Sequence, residues 1–290
     1  MGRFAPSPTG DLHLGSLLTA AASFIDARAH KGRWLLRIED LDTEREIAGA
    51  TTRILECLER FDMRWDGAVI RQSDRAPHYA AALTKLQHQR RTFRCSCSRQ
   101  QLQGAPVYPG TCRHSPPPPG TPAALRFALD TGAMSFTDRV QGPIEVTPSQ
   151  SFGDFIVKRR DGLVAYMLAV VVDDAAQGVT QVVRGADLLD STPAQIQLQQ
   201  ALGYPQPAYA HVPVITEPDG AKLAKSKRSL GLDPGKAVGQ LWQVFELLGL
   251  APPQALQKAG LQDCWDWAIA AWDMEKLTNR RAVPLASLFP

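Results

Sequence analysis

The stretch that decides the fold class is Gly2-Arg3-Phe4-Ala5-Pro6-Ser7-Pro8-Thr9-Gly10-Asp11-Leu12-His13-Leu14-Gly15-Ser16, read together with Trp34-Leu35-Leu36-Arg37-Ile38. Residues 2–5 read as a short strand and 6–11 as a Pro/Gly-rich loop. From about Ser16 the side chains of Leu17, Leu18, Ala21, Phe24, Ile25 and Arg28 recur at helical spacing. Ser16 is expected to cap this helix, and Gly32 to lie just past its end. A strand at 34–38 follows, so strand, loop, helix and strand spell a βαβ unit and an α/β fold.

Outward from this unit, helices are expected near 51–61 and 77–89. Between about 90 and 150 the rhythm breaks: a cysteine cluster, four prolines at 116–119 and strand-like pieces such as 125–128 read as an insertion. The α/β rhythm resumes with a strand at 154–158, an apolar run through Val172, a strand at 178–183, a helix after Ser191-Thr192-Pro193 and a strand near 208–215. The remainder reads as helical, with Leu241, Trp242, Phe245 and Leu248 on one side and a Trp-rich stretch at 265–272. The expected organisation is an α/β domain from 1–90 and 151–230, an insertion at 91–150 and a short helical C-terminal region at 231–290.

With 290 residues, 44% hydrophobic and 21% charged, the composition excludes a disordered or fibrous chain. The net charge, 32 − 29 = +3, excludes a basic-tail nucleic-acid binder but leaves room for a local basic face. The longest apolar run, Leu163 to Val172, is about half of the ~20 residues that cross a bilayer. A soluble cytoplasmic protein with no membrane partner is expected, and a monomer, since no exposed apolar stripe stands out. Three of the five cysteines, Cys95, Cys97 and Cys112, fall close together with C-x-C-x14-C spacing. An odd, clustered set argues against a disulfide scaffold and for a metal, and three thiolates need a fourth ligand. His114 is the chemically ordinary choice.

The segment between the first strand and helix is placed where backbone N–H groups and the helix dipole attract an anion. Gly10 and Gly15 have P-loop separation, but Ser16 stands where that motif needs lysine, which excludes an ordinary P-loop NTPase. His13-Leu14-Gly15-Ser16 remains as a phosphate-site candidate, the plain alternative being a capped helix after a stiff turn. Some two hundred residues later comes Lys222-Leu223-Ala224-Lys225-Ser226-Lys227-Arg228. Its lysines can bracket a triphosphate and stabilise charge on a leaving pyrophosphate, or form a solvated basic loop.

These two segments resemble the signature motifs of class I aminoacyl-tRNA synthetases. Residues 3–10, Arg37-Ile38-Glu39-Asp40-Leu41-Asp42 and Val183-Arg184-Gly185-Ala186-Asp187-Leu188 are similar to the glutamyl-tRNA synthetase branch, in the right order over about three quarters of the chain. Two departures stand out: Ser16 replaces the second histidine of the first motif, and Leu223-Ala224 replace Met-Ser in the second. The chain also stops soon after the second motif, where that branch continues into an anticodon-binding region. In this, and in its Cys-x-Cys insertion, it resembles the truncated glutamyl-Q tRNA(Asp) synthetase family.

The resemblance implies a Rossmann-like catalytic domain and a ligase that activates L-glutamate with ATP and Mg2+, then transfers it to the queuosine base of tRNA(Asp). It assigns His13 and Ser16 to the ATP phosphates, and Lys225, supported by Lys222, to ATP and its departing pyrophosphate. It lines the glutamate site with Arg3, Phe4, Ala5, Pro6, Ser7, Glu39, Tyr166 and Arg184. Two carboxylates and an ammonium need guanidinium forks and an acid in fixed places, and Arg3 and Arg184 are the natural forks. Read without the family, Tyr166 is a core tyrosine before it is a site residue, and Glu39 is equally a partner of Arg37. The family's Cys-x-Cys…Tyr-x-x-x-Cys pattern adds Tyr108 to Cys95, Cys97 and Cys112 as ligands of a structural Zn2+, with His114 as the rival. Arg90, Arg91, Arg94, Arg99 and Lys158-Arg159-Arg160 suit RNA phosphates or a solvated face. Three rivals remain: a catalytically silent, zinc-containing RNA-binding paralogue, suggested by Ser16 and Ala224; a small-molecule adenylyltransferase; and an enzyme charging the 3′ end of tRNA(Glu).

Overall fold

The computed structural model describes residues 1–102, 104–105, 107–216 and 231–285. Strands β1 (Gly2–Phe4), β2 (Trp34–Ile38) and β3 (Ile70–Arg71) form a parallel sheet in chain order. Strands β4 (Thr92–Cys95), β5 (Ala124–Phe127) and β8 (Phe155–Lys158) form a separate antiparallel sheet. A third sheet has the order β7 (Gly142–Val146), β6 (Met134–Asp138), β10 (Ala208–Val212), β9 (Gln181–Gly185), parallel except for the β6–β7 pair. The Met1 carbonyl accepts from the N–H groups of Thr180 and Gln181 at 3.0 Å each, which brings the first strand beside β9. Across the molecule the order is therefore β3, β2, β1, then β9, β10, β6. It reverses at β1/β9, and in open α/β sheets that reversal is where ligands meet the carboxyl ends of the strands.

Helix α1 (Leu14–Ala29) crosses from β1 to β2, as the βαβ reading requires. Its cap differs from expectation. His13, in extended backbone at φ −125° and ψ 175°, is the N-cap, and its Nδ1 accepts from the Ser16 N–H at 3.2 Å, so Ser16 lies inside the first turn. Gly15 makes this possible, since a Cβ there would sit 3.0 Å from the imidazole Cε1. At the other end Gly32 lies just past the helix as expected, and Lys31, at φ 52°, takes the left-handed turn.

The remaining helices are α2 (Ala50–Arg60), α3 (Ala76–His88), the single turns α4 (Thr111–His114) and α5 (Pro148–Ser151), α6 (Tyr166–Ala176), α7 (Thr192–Leu202), α8 (Ala237–Leu247) and α9 (Leu261–Ala270). The apolar run ending at Val172 is thus helix from Tyr166 onward. The strand expected at 178–183 begins only at Gln181, because Gly178, at φ 66°, is spent turning the chain out of α6. The strand expected at 208–215 is two. Pro213 has no N–H to donate, and β11 (Val214–Thr216) leaves the sheet to pair with β12 (Ala282–Pro284).

Among the described residues three apolar clusters hold these layers, the smallest joining Leu35, Phe136, Val182, Ile196 and Tyr209. Of the two larger, one packs α3, α6 and α7 against Phe127 and Val157 of the antiparallel sheet. The other joins α1 and β2 to α8 and α9, so the C-terminal helices share a core with the first helix. Phe24 meets Trp34 edge-on at 5.2 Å and Trp265 at 4.9 Å, while the Trp265 indole N–H donates to the Phe61 carbonyl at 2.8 Å. Among the described residues no helix is long and apolar enough to cross a membrane.

Candidate active site

A cleft of about 440 Å³ opens at the carboxyl ends of β1 and β9. Arg3, Phe4, Ala5, Pro6, Ser7, His13, Ser16, Glu39, Tyr166 and Arg184 all line it, so residues scattered over 180 positions of sequence meet in one cavity. The β1 strand and its loop carry the first five. His13 and Ser16 start α1, where unpaired N–H groups and the dipole favour an anion. Glu39 follows β2, and its N–H donates to the Pro6 carbonyl at 2.9 Å, which holds the loop against the sheet. Tyr166 opens α6, packs against the α3, α6 and α7 core and also lines the cleft.

The second motif, with Lys222 and Lys225, lies outside the described residues. Its two flanks do not. Val214 and Ile215, just before it, line the cleft, and Gly231, just after it, forms an isolated antiparallel bridge with His13. Gly231 thus pairs with a residue, His13, that also lines the cleft.

The floor of the cleft is a buried ion network. Asp174 accepts from Arg3 Nε at 3.3 Å and lies 2.8 Å from Arg37 Nη1, with Arg37 fully buried. Arg37 also reaches Glu39 at 3.4 Å, so the pairing that sequence alone left open is made. Burial pushes the Asp174 carboxyl upward, but Arg3 and Arg37 outweigh it and hold the group below its ordinary range. Glu39 goes the other way: burial raises it, and the pull of Arg37 and Arg3 does not fully compensate. An acid that is 9% exposed and facing the cleft gains from any cation brought beside it.

Arg184 is held differently. Its Nε donates to His211 Nε2 at 3.0 Å and its Nη2 to Thr192 Oγ1 at 2.8 Å, while Nη1 is buried and has no hydrogen-bond partner among the described residues. A buried guanidinium nitrogen without a partner, on a side chain that lines the cleft, is a costly arrangement unless a carboxylate or phosphate completes it. Of the two expected forks, Arg3 spends Nε on the floor and Arg184 keeps a nitrogen unspent. Arg45, Asp187 and Thr9 also line the cleft, and sequence reasoning assigned them no role. Thr9 and Asp187 stand within motifs 3–10 and 183–188, which could have found them, whereas nothing in the spacing marked Arg45.

Away from the cleft, the sulfur atoms of Cys95, Cys97 and Cys112 lie within 4.8 Å of one another, with Cys97 and Cys112 at 3.4 Å. Tyr108 Oη lies 3.5 Å from Cys95 Sγ and 4.0 Å from Cys97 Sγ, and it accepts from the Cys112 N–H at 2.8 Å. Four donors around a tetrahedral zinc would stand about 3.5–3.8 Å apart, so the residues present fit that ion. His114 does not join the group. Burial, followed by hydrogen bonds from its neighbours, pushes Cys97 up to about 11. Burial also works upward on Cys112, but the Ser96 N–H and the surrounding thiols and phenol bring it to about 7. The knuckle closes on Gly110, at φ 80°.

The basic residues divide. Arg91 forms a two-pronged pair with Asp130 at 2.7 and 2.9 Å, Arg94 donates to the Pro118 and Thr121 carbonyls, Arg159 pairs with Asp161 at 2.6 Å and Arg160 donates to the Ser96 carbonyl at 2.8 Å. Arg90 and Arg99 are exposed. The cluster is therefore less available to a polyanion than its composition suggests.

Residues 1–107 and 113–240 match the family model described as tRNA synthetases class I (E and Q), catalytic domain. The chain is 49% identical over 285 residues to a glutamyl-Q tRNA(Asp) synthetase of Pseudomonas aeruginosa, covering 98% of this chain and 97% of that protein. It is 50% identical over 289 residues to one of Ectopseudomonas mendocina, covering 99% and 98%. Among solved structures, a glutamate tRNA ligase of Elizabethkingia meningosepticum in complex with its amino acid superposes with a TM-score of 0.81 at 24% identity, covering 97% of this chain and 66% of that one. The glutamate-tRNA synthetase of Elizabethkingia anophelis superposes with a TM-score of 0.82 at 24% identity, over 98% and 67%. Likeness at that identity speaks for the fold, and this chain spans about two thirds of those ligases.

Proposed function

The chain belongs to the class I tRNA synthetases of the E and Q type, within the glutamyl-Q tRNA(Asp) synthetase family, and from that footing we propose that it activates L-glutamate with ATP and Mg2+ and passes the glutamyl group to the queuosine base of tRNA(Asp). In the first step an oxygen of the glutamate α-carboxylate attacks the α-phosphorus of ATP. The bond to the β-phosphate oxygen breaks, and pyrophosphate leaves. In the second, a nucleophile of the modified base attacks the adenylate carbonyl and AMP leaves.

The chain's own groups serve these steps by placement and charge. His13 and the N–H groups of the first turn of α1 hold phosphate oxygens, and Lys222 and Lys225 neutralise the departing pyrophosphate. Arg184 Nη1 and the free edge of Arg3 receive substrate carboxylates, Glu39 receives the ammonium, and Tyr166 closes one wall. Glutamine would leave a guanidinium unmatched, which accounts for its rejection. Magnesium bound with ATP would supply charge neutralisation on the phosphates. Zinc on Cys95, Cys97, Cys112 and Tyr108 would stiffen an insertion at 91–150 set between the halves 1–90 and 151–230, with a supporting role toward RNA.

The observation that supports this reading is the hydrogen-bond capacity left on Arg184, a residue of the cleft that the first signature motif lines and that Val214 and Ile215, just before the second, also line. The test is incubation with labelled glutamate, ATP and total tRNA, followed by identification of the charged species. Label on tRNA(Asp) at the queuosine position, released by mild alkali, is the expected result. Label on the 3′ end of tRNA(Glu), or on no RNA at all, refutes the assignment.

A further inference from the structure

Two titratable side chains, Asp138 and His211, stand in a row across the sheet behind Arg184, and the proposed chemistry does not use them directly. Asp138 ends β6, His211 lies in β10 and Arg184 in β9, three neighbouring strands. His211 and Arg184 are register partners in the parallel pair, so their side chains emerge on one face of the sheet. Asp138 and His211 are fully buried. Asp138 Oδ1 accepts from the N–H groups of Val140, Gln141 and His211 at 3.0, 2.9 and 3.1 Å, and Oδ2 lies 2.6 Å from His211 Nδ1. A carboxylate with this many donors is held ionised, and Nδ1 must carry a proton to meet it. The far nitrogen, Nε2, faces Arg184 Nε–H at 3.0 Å and the Thr192 hydroxyl at 3.1 Å. A second proton on Nε2 would point at the guanidinium N–H, so the network fixes a neutral imidazole with Nε2 as acceptor.

We propose that His211, with its tautomer set by Asp138, is a positioning residue for the substrate-binding fork: it holds Arg184 by Nε and so fixes the plane of the guanidinium that lines the cleft. Thr192 fixes the other prong through Nη2, at 2.8 Å. The guanidinium is planar, so tethering two nitrogens fixes the direction of the third. Without the relay, Arg184 regains rotamer freedom and the carboxylate must order it on binding. This inference rests on the reading of Arg184 as a glutamate ligand.

The experiment is glutamate-dependent ATP–pyrophosphate exchange with the full chain, with KM for glutamate and for ATP measured separately in His211→Asn, His211→Gln, Asp138→Asn and the double variant His211→Gln/Asp138→Asn. Gln can place an acceptor oxygen where Nε2 was, whereas Asn reaches only the Nδ1 position. His211→Asn is expected to raise the glutamate KM roughly 10- to 100-fold, the scale of a lost hydrogen bond to a charged group, with the ATP KM unchanged. His211→Gln recovers most of that loss. Asp138→Asn lets the imidazole flip its proton onto Nε2 and also raises the glutamate KM, but adds little in the Gln background, where no tautomer exists to be set. Equal effects of Asn and Gln, or parallel rises in both KM values, overturn the relay and leave only a packing role. If His211→Asn does not fold, the Asp138→Asn change in the two backgrounds decides: additive effects overturn the proposal. Absence of glutamate-dependent exchange in the unsubstituted chain overturns instead the glutamate reading on which the relay rests.

Discussion

Asp174→Asn isolates the buried charge beneath the cleft without changing side-chain shape. The carboxylate lies 3.3 Å from Arg3 Nε and 2.8 Å from Arg37 Nη1. At an effective dielectric of ~20, those separations correspond to gross attractions of roughly 5 and 6 kcal/mol. The amide avoids the several kcal/mol that burying a carboxylate costs, and Arg37 keeps Glu39 and the Gln177 carbonyl, the latter at 2.6 Å. A net loss of about 3 kcal/mol remains, at the lower edge of what breaking a buried pair costs. For 290 residues the unfolding entropy is about 0.6 kcal/mol/K, so Tm should fall by about 5 °C in calorimetry at neutral pH. The control is Asp62→Asn, which breaks the exposed 2.8 Å pair with Arg64 at a left-handed position, φ 54°, that asparagine tolerates; its Tm should not move. A shift below 1 °C for Asp174→Asn would mean that Arg3 and Arg37 are balanced by other groups, and the account of the cleft floor would be wrong.

His13 has two separable duties. His13→Asn keeps an acceptor for the Ser16 N–H and should leave Tm within a degree, while His13→Ala should cost about 1 kcal/mol; both should slow glutamate-dependent exchange, and unchanged exchange in His13→Ala would remove the histidine from the phosphate site. Cys97→Ser and Cys112→Ser should each lower zinc content measured by elemental analysis of the purified protein, and stoichiometric zinc in both would refute the thiolate site. Burial, the largest influence, holds His211 below its ordinary value despite Asp138 and with Arg184 helping. The folded state therefore resists this proton, so its contribution to stability is present above pH ~6.5 and lost as pH falls from there toward the depressed folded value. Denaturant titrations should show that loss in the unsubstituted protein and less of it in His211→Gln; identical slopes against pH would contradict the buried neutral imidazole.

The opening βαβ unit was legible because its apolar spacing and turn residues agree with each other, and β2 falls where it was expected, at Trp34–Ile38. The cap was not: a serine beside a helix start is the usual signal, and only the space left by Gly15 lets an imidazole take its place. Pro213 was visible in the sequence, but its effect, sending β11 to a different partner from β10, depends on β12 arriving from the far end of the chain. The cleft residues were found through motifs. The groups that set their charge were not, since Asp138, His211 and Asp174 lie in apolar strand and helix text, and only burial and register make them partners. Basic clusters misled in the opposite direction, because the carbonyls and carboxylates that occupy Arg91, Arg94 and Arg160 come from distant positions.

The seam of Phe24, Phe245 and Trp265, with the Trp272 indole N–H reaching Asp26 at 3.1 Å, ties the tail of the chain into the helix that opens the cleft. The last helices are in that sense a keystone and not a trailing appendage. Trimming them would strip one wall from α1 and slacken the turn that begins at His13, so a shortened version should lose its grip on nucleotide before it loses its sheets.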